Sequence, residues 1–249
     1  MKRIALAVLL ALLLAAGYAL WTRVLFPTSG SLCYRLMVEV EDNGRTVAGS
    51  SVVEVSLHRN VIGTPYAMGL RGEAVTVDLG SKGLLFAVMR CENASHGCWE
   101  MFPERVLAAR LDVDDRRRGD RLTLFRAVSR LPDGTSAAIP WQRIVQTGPR
   151  PWDAERYPFG PMLVRFRDIN DPTSVEKLDP ENLAKSFGHG VRLKAITIVK
   201  TSEPVTTGME KRLAWLDHLQ DRSLGGTYLQ PVSKFADRLQ RSDFKRGIK

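Results

Sequence analysis

Residues 32–57 read LCYRLMVEVEDNGRTVAGSSVVEVSL. Leu36, Val38 and Val40 alternate with Arg35, Met37 and Glu39, the two-residue period of a strand with one buried face. Asp42-Asn43-Gly44 follows as a strong turn signal, and Ser51–Leu57 is a second β-rich run. The stretch predicts a hairpin that forms the first two strands of a sheet. Gly49, just ahead of the second run, allows a bulge or close packing.

Toward the carboxyl end, Ala74–Leu79 and Leu84–Arg90 read as two more strands joined by Gly80-Ser81-Lys82-Gly83. Pro103–Arg110 has helical character, opening on its proline. Arg121–Arg130 returns to a strand pattern, and Ser136–Trp141 is another short strand. Residues 148–161, GPRPWDAERYPFGP, hold four prolines. That density predicts an ordered loop with no regular element, pinned by Trp152, Tyr157 and Phe159. Because aromatics between prolines can also seat a partner, these three are candidate binding residues. Met162–Arg167 reads as a strand. A helix follows, with Asp179 as N-cap, Pro180 at N1, Leu183 and Phe187 in i, i+4 contact and Gly188 as its end. Val191–Lys200 alternates as a strand with Val191, Leu193, Ala195 and Thr197 on one face. Gly208–Leu219 predicts a second helix, with Met209, Leu213 and Leu216 as its buried stripe. From Pro231 onward the chain reads as a short amphipathic helix (Phe235, Leu239) and a basic tail. This order of elements argues an α+β fold, a mainly antiparallel sheet with a few short helices.

The amino-terminal residues, MKRIALAVLLALLLAAGYALWTR, set the compartment. The apolar run from Ile4 to Trp21 carries no charge and spans about 27 Å as a helix, the hydrocarbon thickness of a bilayer. Lys2 and Arg3 before it outweigh Arg23 after it, which keeps the amino terminus in the cytoplasm. The expected organisation is therefore a signal anchor at 1–23 with its transmembrane helix at 4–21. A flexible tether at 24–31, a single domain at 32–230 and a basic tail at 231–249 follow. Cleavage after Ala19 is the competing reading and would leave the same domain free in the same compartment. The location that follows is the bacterial inner membrane, with the domain facing the periplasm.

The net charge of +9 is locally concentrated. Eight arginines fall between Arg105 and Arg130 and six cations between Lys234 and Lys249. Interleaved aspartates and an outward-facing domain argue for a solvated surface rather than a nucleic-acid partner. The expected partners are the membrane, through the amino-terminal helix, and an envelope protein. Outside the cytoplasm thiols tend to pair, so Cys91 and Cys98, seven apart, are expected to form a disulfide, with Cys33 left over. A metal site of Cys91, His96 and Cys98 is the sharper alternative, but it lacks a fourth ligand and matches no structural-zinc spacing.

Catalytic signals are weak. Asp168-Ile-Asn170-Asp171 resembles the start of a calcium loop, which Pro172 and the missing glycine and glutamate break. His189 lies between Gly188 and Gly190, where a ligand could approach the backbone. His58 and His218 have no neighbouring cluster. Asp168, Asp171 and His189 are retained as binding candidates. No nucleotide, serine-hydrolase or zinc-protease motif occurs, and no cofactor is expected. Gly49–Val55 and Met162–Leu216 resemble an uncharacterised proteobacterial family of membrane-anchored or exported proteins. The shared pieces are Asp171-Pro172, Asp179-Pro180, Phe187-Gly188-x-Gly190 and Pro204-Val-Thr-Thr-Gly208. The resemblance implies one integrated domain and carries no activity. The expected function is a single-pass envelope protein whose domain binds without catalysis; the alternative is an envelope hydrolase with a dispersed site.

Overall fold

The computed structural model describes residues 29–59, 66–91, 98–111, 120–140, 160–219, 222–226 and 234–248, together with Gly17 and the backbone of 142–146 and 154–158. The predicted hairpin is β1 (Ser29–Asp42) and β2 (Arg45–Arg59). Asn43 and Gly44 turn it with φ of +49° and +85°, the left-handed pair that a two-residue turn requires. β2 also pairs with β3 (Tyr66–Glu73), and β1 with β11 (Val191–Thr201). β6 (Ser136–Ala138) and β12 (Lys245–Arg246) occupy the edges, giving the order β12-β3-β2-β1-β11-β6. A second sheet runs β10-β9-β5-β4, built from β4 (Val75–Asp78), β5 (Leu84–Cys91), β9 (Pro161–Phe166) and β10 (Val175–Lys177). β7 (Gln142–Gln146) and β8 (Ala154–Pro158) form a separate hairpin. Every strand pairing is antiparallel. The described α-helices are α1 (Cys98–Val106), α2 (Arg121–Ser129) and α3 (Ala184–Phe187). The fold is thus α+β, mainly antiparallel sheet with short helices.

Alternation makes the layers. Tyr34, Leu36 and Val38 of β1 join Val53, Val55 and Leu57 of β2 in one buried cluster. Leu85, Ala87 and Met89 from one face of β5 share this cluster, as do the inner faces of α1 and α2. The opposite face of the second sheet presents Phe86, Val88, Val164 and Phe166 to a second cluster. That cluster is completed by Leu213, Leu216, Leu239 and Phe244 from the carboxyl-terminal turns. The four-stranded sheet is therefore the middle layer. Phe166 packs edge-on against Phe86 and Trp215, with ring centroids 5.6 and 5.3 Å apart. The Trp215 indole N–H donates to the Ile169 carbonyl at 2.8 Å.

Cys91 and Cys98 are joined, tying the end of β5 to the start of α1. This removes both thiolates from metal binding; His96 lies outside the described residues. Replacing both by serine is expected to cost about 2–3 kcal/mol, the loop-closure term for so short a ring, read as a lower urea midpoint than that of the oxidised protein. Cys33 is a free, half-buried thiol, and burial pushes its pKa up.

Several expectations are corrected. Arg121–Ser129 is a helix, not a strand: Leu122, Phe125 and Val128 are buried three apart on one face, and Asp120 caps it by accepting from the Thr123 amide at 3.0 Å. Ser29–Ser31 belongs to β1 rather than to a tether, because Gly30 pairs with Leu57 and lies against the Phe125 ring. Within residues 148–161, Ala154–Pro158 is strand, its backbone paired with Gln142–Gln146. The helix expected after Asp179 begins only at Ala184; Asp179 instead accepts from the Glu181 amide in a local turn. Gly208–Leu219 is two 3-10 turns, Met209–Lys211 and Leu216–His218, although Met209, Leu213 and Leu216 are buried as foreseen. The carboxyl terminus is not a free tail: Ala236, Leu239 and Phe244 enter the second cluster, and β12 pairs with β3. In β11 the buried apolar residues are Val191, Ile196 and Ile198, since an irregularity opposite Glu39/Val40 shifts the alternation. Among the described residues no helix is long and apolar enough to cross a membrane. The expected transmembrane run lies outside them, apart from Gly17.

Candidate functional site

β3 pairs with β2 only from Glu54 to Arg59. Beyond that point the chain leaves the first sheet at Glu73 and continues as β4 in the second. The vacated edge of β2 is taken by Thr206, whose amide donates to the Val52 carbonyl at 3.0 Å. Its hydroxyl in turn accepts from the Val52 amide at 2.8 Å. A cleft of about 370 Å³ opens at this divergence, lined by Ser50, Thr76, Thr206, Thr207, Lys211 and Arg212 with Glu73 among them.

Glu73 organises the cleft. It is 2 % exposed. Its two carboxylate oxygens accept from the Gly208 amide at 3.0 Å and the Met209 amide at 2.9 Å. Gly208 makes this possible by taking the left-handed conformation, φ +115°, which a side chain would resist. The Ser51 hydroxyl donates to the Glu73 carbonyl at 2.8 Å. Next to Glu73 in the β3–β12 register stands Lys245, buried and bonded to Glu210 at 2.9 Å. Burial pushes the Glu73 carboxyl above its ordinary range, against the pull of the Met209 and Gly208 amides. Lys245 beside Glu210 holds that carboxyl below its own ordinary value.

A raised carboxyl pKa means that the folded state holds the proton more tightly than the unfolded one. Its contribution to stability is present at low pH and is lost as pH rises from the ordinary carboxylate value through the raised one. Glu73→Gln cannot present acceptors to both amides and should cost about 1–3 kcal/mol. The penalty, measured by urea unfolding across a pH series, should be largest at the acid end and shrink toward neutrality.

The cations at the mouth separate this cleft from the others. Lys211 and Arg212 are exposed, and among the described residues neither has an ion-pair or hydrogen-bond partner for its side chain. The Lys211 stem lies close to Gly208, with Cδ 3.7 Å from where a Cβ would stand. The Ser50, Thr76 and Thr207 hydroxyls likewise make no bond to the described residues. Two larger hollows, of about 550 and 480 Å³, flank β6. Their floors are alanine, proline and isoleucine, and their cations are engaged: Arg110 with the Ser136 carbonyl, Arg192 with Glu41, Lys194 with Thr46.

The sequence-predicted site residues do not assemble. Asp168 accepts from the Asn170 amide at 2.9 Å. Asp171 accepts from the Thr173 amide at 2.8 Å and its hydroxyl at 2.7 Å, which holds its carboxyl below the ordinary range. Both are turn-forming side chains. His189 is exposed at the turn before β11, and no bond among the described residues links it to either aspartate. Trp152 and Phe159 lie outside the described residues, and Tyr157 is described only as backbone in β8. Among the described residues no three His, Cys, Asp or Glu side chains are grouped to hold a metal ion.

Sequence reasoning missed Glu73, Ser50, Thr76 and the Lys211-Arg212 pair. The usable signal was the run of hydroxyls, a glycine and two cations in Pro204–Arg212. No protein-family model, curated protein or solved structure matches the chain.

Proposed function

We propose that this chain is a single-pass envelope protein. Residues 4–21 anchor it in the bacterial inner membrane with the amino terminus in the cytoplasm, and its α+β domain binds a ligand in the periplasm without catalysis. The observation that carries the reading is the cleft beside Glu73. Among the described residues it offers side-chain donors with no internal partner, its hydroxyls stand beside no histidine, and its one carboxylate is held by two backbone amides. Donors held ready without a nucleophile–base pair suit recognition rather than bond cleavage. Lys2 and Arg3 ahead of the apolar run support the orientation, and the Cys91–Cys98 disulfide suits an oxidising compartment.

Protease added to spheroplasts should digest the domain while a cytoplasmic marker survives. Thiol-alkylation of the same cells should find Cys91 and Cys98 oxidised. The mass of the membrane-bound chain should include residues 1–19. A domain protected from protease would overturn the orientation. Turnover of ester, phosphoester, glycoside or peptide substrates by the purified chain would overturn the non-catalytic role.

A further inference from the structure

We infer that the cleft at the β3–β4 divergence is a binding site for a small phosphorylated polyol, its phosphoryl group held by Lys211 and Arg212 and its hydroxyls by Ser50, Thr76 and Thr207. This deepens the proposed binding role and rests on it.

The cleft divides into a cationic mouth and a neutral-to-acidic floor. At the mouth two adjacent exposed cations have no carboxylate partner among the described residues, whereas buried and half-buried cations of the domain are spent internally. Lys245 is bound to Glu210, Arg246 to Glu100 and Lys200 to Asp133. An arginine fork and a lysine ammonium together suit a phosphoryl group, the one by paired hydrogen bonds and the other as a point charge.

The wall carries hydroxyls, which both donate and accept and therefore suit ligand hydroxyls or phosphoryl oxygens. Among the described residues no aromatic side chain lines the cleft, so none of them selects a flat base or ring by stacking. The floor is set by Glu73. Its oxygens each hold one backbone amide, so the ionised carboxylate keeps acceptor capacity and offers no donor. A ligand group that reaches it must bring a proton, and a second anionic group would be repelled. The polarity of the site is thereby fixed: phosphoryl outward, hydroxyls inward. A volume of about 370 Å³ falls at the small-molecule end of ligand pockets.

A phosphorylated polyol can reach such a site free in solution or as the headgroup of a membrane lipid. Glycerol 3-phosphate is the soluble probe, and vesicles of phosphatidylglycerol in phosphatidylcholine are the lipid probe. The full chain in uncharged detergent should bind glycerol 3-phosphate saturably in titration calorimetry, and glycerol alone should not bind. Lys211→Ala/Arg212→Ala should weaken the binding by about a hundredfold, the loss of two charged contacts. Its unliganded Tm should stay unchanged, since both side chains are exposed and make no bond among the described residues. Lys185→Ala, an exposed cation on α3, should leave the binding intact, which separates the cleft from general basic attraction.

Co-sedimentation with phosphatidylglycerol vesicles that depends on Lys211 and Arg212 assigns the headgroup as the source. Saturable binding of the soluble probe without that dependence assigns the free metabolite. Absence of saturable binding by either probe overturns the inference, as does binding that the double variant retains. Neither result bears on the orientation or on turnover, so the site can fail while the binding-module reading stands, and the reverse.

Discussion

Gly49→Ala is expected to destabilise the domain by more than about 4 kcal/mol, beyond the range of ordinary point substitutions. Gly49 lies in β2 opposite Val38 of β1, on the stretch that β3 has already left. The second sheet approaches it there directly. A methyl at Gly49 would stand 1.9 Å from the Thr76 carbonyl oxygen and 2.7 Å from its carbon, with Val77 Cγ2 at 3.1 Å. The two nearest atoms are backbone, so no rotamer change relieves them. β4 must move away from β2, which separates Val75 and Val77 from the buried cluster they share with Val38 and Val53. Such a shift also displaces Thr76, a wall of the cleft. Urea unfolding gives the measurement where the variant is soluble; where it is not, loss of protease resistance gives the same answer. Ala48→Gly, one residue away and exposed, should cost no more than about 1 kcal/mol. A Gly49→Ala protein within about 1 kcal/mol of the parent would show that the two sheets do not meet at this point.

The sequence left a bulge or close packing open at that glycine; the partner was not legible, because Thr76 is distant in sequence and belongs to the other sheet. The same division runs through the fold. β1 and β2 could be read because each buries one face and their turn needs left-handed residues, both local requirements. β3 escaped reading: Gly69 and Gly72 interrupt any alternation, and Gly69 is small because the Ser56 hydroxyl lies against it. α2 misled because Leu122 and Leu124 alternate, whereas the residues that reach the core are spaced for a helix. The stripe Met209, Leu213, Leu216 named the right buried residues. The backbone there is settled by distant groups, the Glu73 carboxylate on the Gly208 and Met209 amides and the Ile169 carbonyl on the Trp215 indole. The cleft was invisible for the same reason. Ser50, Glu73 and Thr206 meet only because β3 changes sheets.

Arg246→Met should cost about 3–5 kcal/mol, the penalty for leaving a buried carboxylate uncompensated. Glu100, on α1, is 6 % exposed. Arg246 reaches it from the edge strand β12, Nη1 donating to Oε1 at 3.0 Å. The other oxygen, Oε2, has no hydrogen-bond partner among the described residues. Arg246 also donates to the Ser242 carbonyl at 2.7 Å and the Met89 carbonyl at 3.4 Å, so one guanidinium ties the carboxyl terminus to α1 and β5. Burial chiefly, and Glu100 after it, push the neighbouring Tyr34 hydroxyl well above its ordinary pKa. That phenol donates to the Trp99 carbonyl at 2.9 Å and is fully buried. Methionine keeps the length and apolar stem of the arginine, so the loss reports the charge rather than a cavity. Two contributions are separable. If the stranded charge dominates, Glu100→Gln/Arg246→Met should recover most of the stability lost in Arg246→Met alone. If the carbonyl ties dominate, the double variant should remain as unstable as the single one. The first outcome is expected, because the two carbonyl bonds are surface-accessible through a side chain 24 % exposed and water can replace them, whereas Glu100 Oε2 is buried away from water. Equal instability of the two variants in urea would place the role of Arg246 in pinning the carboxyl terminus instead.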